Sequence, residues 1–255
     1  MQVSWLERSF DMISRDIELT EVIKGIRNNS FRGKIEELRK LVSRHGKKHP
    51  DAERRKKSLP MFTPSGTFDQ KRDSKNLKEY SGVIILDIDD LNSPYAVEEI
   101  KKYAAQCPFS WITFISPTGT GVKILVKVNN SAFDHKKAFN KLIIFYKNYL
   151  RTEIDASGQD VARTCFISFD PNLIENPSPL TFDYQKIPTS RSPVPMTPQD
   201  IETTIKFCIK FTSQASSFEE GNRNNFAYRL CCNLNRYGVP KAVAEQAVIS
   251  QLERS

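Results

Sequence analysis

The chain has 255 residues, 39% of them hydrophobic and 27% charged. That is enough apolar material for one large or two smaller packed domains, and too much for a disordered chain. No apolar run nears the ~20 residues that span a bilayer, and the acid-bearing start MQVSWLERSFDMISRDIE is not a secretory signal, so a cytoplasmic protein without a membrane partner is expected. The net charge of +8 suits a polyanion, because Lys and Arg release counterions from phosphates. Five cysteines without a CxxC pair and three scattered histidines form no ligand set, so reduced thiols are expected.

Residues 1–57 read as helical, with Val22, Ile23 and Ile26 on one face and Ile35, Leu38, Leu41 and Val42 on another. The run RHGKKHPDAERRKK (44–57) is strongly basic. It is either a solvated helix end and loop or a strip contacting nucleic-acid phosphates through Lys47, Lys48, Arg54 and Arg55. Gly82–Ile88 reads as a buried strand, and Asn92-Ser93-Pro94 opens a helix with a cap and a first-turn proline. Ser110–Ile115 and Val122–Val128 read as strands joined by the tight turn Pro117-Thr118-Gly119-Thr120-Gly121. A long helix follows over Phe133–Leu150, then a strand over Thr164–Phe169.

The order β-α-β-β-α-β predicts an α+β fold with an RRM-like or ferredoxin-like antiparallel core of spatial order 4-1-3-2. The domain expected is 1–185, with its helical part at 1–57 and its core at about 80–185. Residues 186–197 read as a linker and 198–255 as a small helical domain. Its inward positions are Ile201, Ile205, Cys208 or Ile209, Phe226, Leu230 and Leu234. The last helix still runs at Gln251-Leu252-Glu253, as in a piece of a longer protein.

In that topology the third and fourth strands flank the first and begin where it ends, at Leu86-Asp87-Ile88-Asp89-Asp90. Asp87 and Asp89 alternate along one strand and share a face. Unpaired carboxylates are costly to bury; Mg²⁺ or Mn²⁺ would relieve that cost and also bind substrate phosphates. Ser116 to Gly121 lets backbone N–H groups approach an anion, with Gly119 and Gly121 removing the Cβ obstruction. Lys123 follows as a point charge, and Arg163 is placed to hold a triphosphate. Asp155 is a third candidate metal ligand, and Asp160 is the acid that would orient Arg163 in a plain ion pair. Phe114 and Phe166 read as core, not as an exposed stacking ladder.

The stretches KKSLPMFTPSGTF (56–68), GVIILDIDDL (82–91), FISPTGTGVKILVKV (114–128) and DASGQDVARTCFISFDPNL (155–173) together resemble the archaeo-eukaryotic primase (primase-polymerase) superfamily. Residues from about 20 to 190 look closest to the N-terminal domain of VirE-type proteins of bacterial mobile elements. EEGNRNNFAYRLCCNLNRYGVPKAVAE (219–245) resembles the helical module that often follows such domains. The resemblance implies a metal-dependent nucleotidyltransferase in DNA replication of a mobile element. Its partners would be a single-stranded DNA template, nucleoside triphosphates and a helicase-like domain or protein. Asp87, Asp89 and Asp155 would be its catalytic and metal-binding acids, and Ser116 to Lys123 its nucleotide-binding motif. Lys123 stands where the superfamily usually has histidine. A non-catalytic nucleic-acid-binding module that keeps the fold is the alternative. A phosphotransfer hydrolase built on Asp87 and Asp89 is disfavoured by Leu91 and by the lack of a GT or GS turn.

Overall fold

The computed structural model describes residues 1–9, 12–186, 198–215, 218–219 and 221–253. In chain order, β1 (Gln2–Leu6) and β2 (Arg15–Glu18) precede the helices α1 (Leu19–Arg27), α2 (Arg32–His45) and α3 (Pro50–Lys57). Short strands β3 (Met61–Phe62), β4 (Gly66–Phe68) and β5 (Leu77–Tyr80) lead into β6 (Val83–Ile88), α4 (Pro94–Ala105), β7 (Ser110–Ile115), β8 (Val122–Lys127) and α5 (His135–Leu150). Then come β9 (Cys165–Phe166), β10 (Ile174–Glu175), α6 (Pro198–Ala215), α7 (Arg223–Arg236) and α8 (Lys241–Glu253). The fold is α+β with a C-terminal helical part, as expected. The chain divides into two compact units, Met1–Thr189 and Ser190–Ser255; apart from Lys186, the expected linker 186–197 lies outside the described residues.

The first unit contains two four-stranded antiparallel sheets, ordered β2-β1-β3-β9 and β10-β7-β8-β6, and a hairpin of β4 and β5. The period of two sorts the second sheet's side chains. Ile84, Leu86, Ile88, Val122, Ile124 and Val126 turn to a core shared with α4 and α5. Val83, Ile85, Ile112, Phe114 and Leu125 turn to the core that holds Val3, Trp5, Phe62, α1 and α2. Ser93 caps α4 by accepting from the Ala96 N–H at 3.1 Å, with Pro94 in the first turn, as its sequence indicates.

Two expectations are corrected. Residues 1–57 are not all helical: Gln2–Leu6 forms β1, an inner strand bonded on both edges to β2 and β3. Its Ser4 is buried, and the hydroxyl accepts from the Phe68 N–H at 2.9 Å while donating to Asp16 Oδ1 at 2.7 Å. The 4-1-3-2 order fails at its fourth strand. β6, β8 and β7 neighbour one another as predicted, but Cys165–Phe166 pairs with Met61–Phe62 in the other sheet, while Ile174–Glu175 joins β7. Beside β6, the loop at Asp155 donates its N–H to Asp87 O at 2.9 Å. The apolar run after it finds an open strand edge in β3, and Ser168 Oγ then ties it to Ile115 O at 2.6 Å.

The second unit is a three-helix packing. Cys208, Phe226, Leu230, Leu234, Val239 and Val248 form its core, and Ile201, Ile205 and Ile209 pack partly buried against it. Gly238, at φ +77°, closes α7 in the left-handed conformation that glycine tolerates. Among the described residues no helix is long and apolar enough to cross a membrane.

Candidate functional site

Asp87 lies in the last turn of the β6 pleat, on the face that looks toward the first sheet. Antiparallel register sets it opposite Lys123, which is itself opposite Phe114. The carboxylate is only 8% exposed, so its charge needs partners. Among the described residues its partners are Lys123, with Nζ 2.5 Å from Oδ1, and Arg163, with Nη2 3.2 Å from Oδ2. Burial works against the charge, but Lys123 and Arg163 outweigh it and hold the carboxyl below the usual Asp value. Burial likewise works against the Lys123 ammonium, and Asp87 outweighs it, so that pKa is raised.

Arg163 Nη2 also reaches Asp155 Oδ2 at 3.1 Å. Asp155 accepts from the N–H and hydroxyl of Ser157 at 2.9 and 2.6 Å. Burial opposes its charge, and the Ser157 bonds with Arg163 still carry its pKa below the ordinary value. Asp160, the acid expected to pair with Arg163, instead accepts from the Ala162 N–H at 2.9 Å, and Asp155, expected as a metal ligand, makes the ion pair.

The turn between β7 and β8 is held flat against the end of β6. A Cβ on Gly121 would come within 2.3 Å of Ile88 O and 3.1 Å of Asp89 Oδ1, so only glycine allows this approach. Gly119 takes φ +78° above the side chain of Arg39. Arg39 Nη2 braces the turn by donating to Ser116 O at 3.1 Å and Phe169 O at 2.9 Å. The hydroxyls of Ser116, Thr118 and Thr120 form a chain with 3.0 Å steps.

These parts surround a cleft of about 240 Å³. One wall comes from the end of the second sheet: Asp87, Asp89, Ser116, Pro117, Thr118 and Lys123. The other carries Lys56 of α3 and Phe166 of β9, with Arg163 and Thr164 leading into that strand. Five predicted residues, Asp87, Asp89, Ser116, Lys123 and Arg163, thus line one space. Gly119 and Gly121 shape the turn, and Asp155 stands behind Arg163.

Lys56, Thr164 and Phe166 line the cleft without being singled out by the sequence as site residues, whereas Thr118 belongs to the expected motif Ser116 to Lys123. Phe166, expected in the core, is half-buried: it packs against the core of Val3, Trp5 and Phe62 and also lines the cleft. Its ring lies 5.4 Å below Lys56 Nζ. The signals for Lys56 are its place in the basic run and at the start of the stretch KKSLPMFTPSGTF (56–68). The four residues chosen from that run are not in the cleft: Lys47 pairs with Asp90, Arg54 with Asp51 at 3.3 Å and Arg55 with Glu37, while Lys48 is exposed. Cys165 is buried next to the cleft, and burial pushes its thiol up to about 12, which excludes a thiolate nucleophile near neutral pH.

Among the described residues, no three His, Cys, Asp or Glu side chains are grouped closely enough to hold a metal ion. Asp87 and Asp89 still present hard oxygen donors to one cleft, a pair that suits Mg²⁺ or Mn²⁺ more than a soft metal. Asp155 is engaged with Arg163 and Ser157 instead of completing a triad with them.

No curated protein and no solved structure gives a match to the chain. Residues 54–174 match the family described as BT4734-like, N-terminal domain, a stretch that contains every residue lining the cleft, from Lys56 to Phe166.

Proposed function

We propose that the first unit is a metal-dependent nucleotidyltransferase of the primase-polymerase kind, which makes or extends primers on a single-stranded DNA template from nucleoside triphosphates. The observation that carries the reading is the gathering of Asp87, Asp89, a hydroxyl-lined turn, Lys123 and Arg163 from three separated segments around one cleft. In the transfer, the 3′-oxygen of the primer bonds to the α-phosphorus while the α–β anhydride breaks. Pyrophosphate leaves, and the hydroxyl proton passes to solvent. Asp87 and Asp89 would hold a divalent cation, whose contribution is to acidify the attacking hydroxyl and offset charge on the leaving group. Lys123 and Arg163 hold Asp87 ionised and oriented before substrate arrives, and both are long enough to turn toward phosphate oxygens. Ser116 and Thr118 offer hydroxyls to the same oxygens. Replication of a mobile element, with a helicase-like partner, is the setting in which such an activity would serve.

A second reading rests on one specific contact pattern. Lys123 and Arg163 occupy both oxygens of Asp87, an arrangement that also suits a nucleic-acid-binding module without chemistry. The deciding experiment is nucleotide incorporation on primed and unprimed single strands with Mg²⁺ or Mn²⁺, comparing wild type with Asp89→Asn. Metal-dependent synthesis lost in a folded variant is the result expected. A folded wild type that binds single-stranded DNA but incorporates nothing would turn the assignment to the binding module.

A further inference from the structure

The cations around the cleft are not equivalent. Lys123 and Arg163 each have a carboxylate within ion-pair distance. Among the described residues, none lies that close to Lys56, whose ammonium sits over the Phe166 ring. Lys56 faces Asp87, Lys123 and the Ser116–Thr118 hydroxyls across the cleft, and burial with the nearby Lys123 charge lowers its pKa. Asp89 and Asp87 act on it from farther away and are outweighed, so the ammonium over the aromatic face has no direct ion-pair partner among the described residues, and a ligand phosphate supplies one. Size restricts the ligand further. At about 240 Å³ the cleft is smaller than the roughly 300–1,000 Å³ usual for sites that enclose a whole small molecule.

We infer that Lys56, steadied by Phe166, is the group that binds the phosphate chain of the nucleotide, and that the base stays outside the cleft. This rests on the nucleotide reading above and narrows it: recognition is of the polyphosphate, without selection among bases at this site. Phe166 acts here as a positioning residue, since it touches the ammonium and not the phosphate.

The test is calorimetric binding to the full chain, without metal, of sodium tripolyphosphate and of ATP, GTP, CTP and UTP. Wild type is expected to bind tripolyphosphate and all four nucleotides within a few-fold of one another. Lys56→Ala should weaken every one of them by about ten- to a hundred-fold, the range of a lost charged hydrogen bond. Lys56→Arg keeps the charge and should stay within a few-fold of wild type, which guards against a folding defect in the alanine variant. Unchanged binding in Lys56→Ala would overturn the inference while leaving nucleotide binding intact. One nucleotide bound far more tightly than the others, without competition from tripolyphosphate, would put the base inside and overturn it too. Tripolyphosphate binding without nucleotide binding would keep the anion site and remove the nucleotide reading. No binding of either by the folded wild type would remove both.

Discussion

Among the described residues the first unit contains two buried carboxylates, Asp87 and Asp170, each joined to a lysine, and they differ in what else holds them. Asp170 is 2% exposed and Lys101 is 1% exposed. Lys101 Nζ lies 3.0 and 3.3 Å from the two oxygens, and the backbone N–H groups of Ile115 and Asn172 fill them at 2.9 and 3.0 Å. Among the described residues, the Asp87 carboxylate is bonded by Lys123 and Arg163, both flexible side chains, and it borders a cleft. Backbone donors cannot leave, whereas side-chain cations can turn to another anion. Asp170 therefore ties the end of β7 to the chain beyond β9, and Asp87 is free to exchange partners. An acid inside an apolar run does not by itself mark a site; the mobility of its partners does.

The largest effect that would test this contrast is at the enclosed pair. Lys101→Met strands Asp170 without its cation and should cost about 3–5 kcal/mol, the range for breaking a buried ion pair, read by urea unfolding. Adding Asp170→Leu should recover only part of that loss, because the Ile115 and Asn172 N–H groups would then lack an acceptor. Full recovery would mean that the backbone donors do not matter and that the two acids are alike.

A pH scan separates the cleft from its surroundings. His135 is buried, with Nδ1 3.0 Å from the Tyr80 hydroxyl, which also accepts from Asn130 Nδ2 at 2.9 Å. Burial lowers its pKa from 6.5 to about 4. The unfolded chain thus takes the proton first. Stability is fully present above pH 6.5 and declines as pH falls toward 4, by about 3 kcal/mol at ~1.4 kcal/mol per unit. Asp87 is depressed below its ordinary 3.8, so its contribution is full above 3.8 and is lost only at lower pH. Thermal melts in His135→Gln should be flat between pH 6.5 and 4, while acid unfolding below 3.8 persists. A slope surviving in that variant would assign the upper window to some other group.

A smaller loss is expected from the turn. Gly121→Ala drives a Cβ against Ile88 O and should cost about 1–3 kcal/mol, as overpacking does, lowering the melting temperature. If it were silent, the turn would not be held against β6 and would contribute less to the cleft than its geometry indicates.

The legibility of the molecule follows the range of its interactions. β6, α4, β7, β8 and α5 were readable because period, caps and the Gly-rich turn are local signals. Gly121 beside Asp89 follows from them, since one antiparallel pairing suffices. β1 reads as helix and β9 reads as a strand with the wrong neighbour because both depend on β3, two residues long and more than fifty positions from Trp5. Nothing local in Cys165-Phe166 distinguishes β3 from β6 as its partner. That choice makes Phe166, which still packs against the core, part of a cleft wall together with Lys56 of α3. Half of the cleft was therefore readable, the half built on adjacent strands.

Asp89 gives the smallest stability effect and the sharpest functional one. It follows β6, is exposed, and has the same parity as Asp87. Asp87→Asn would leave Lys123 and Arg163 competing around a neutral amide, mixing folding with function. Asp89→Asn removes one charge from an exposed carboxylate and should change stability by no more than about 0.5 kcal/mol. If Asp87 and Asp89 act together on a divalent cation, that nearly silent change should abolish metal-dependent incorporation while tripolyphosphate binding without metal persists. Retained synthesis would reduce Asp89 to a solvated strand end and leave Asp87 as a second structural acid, erasing the distinction from Asp170.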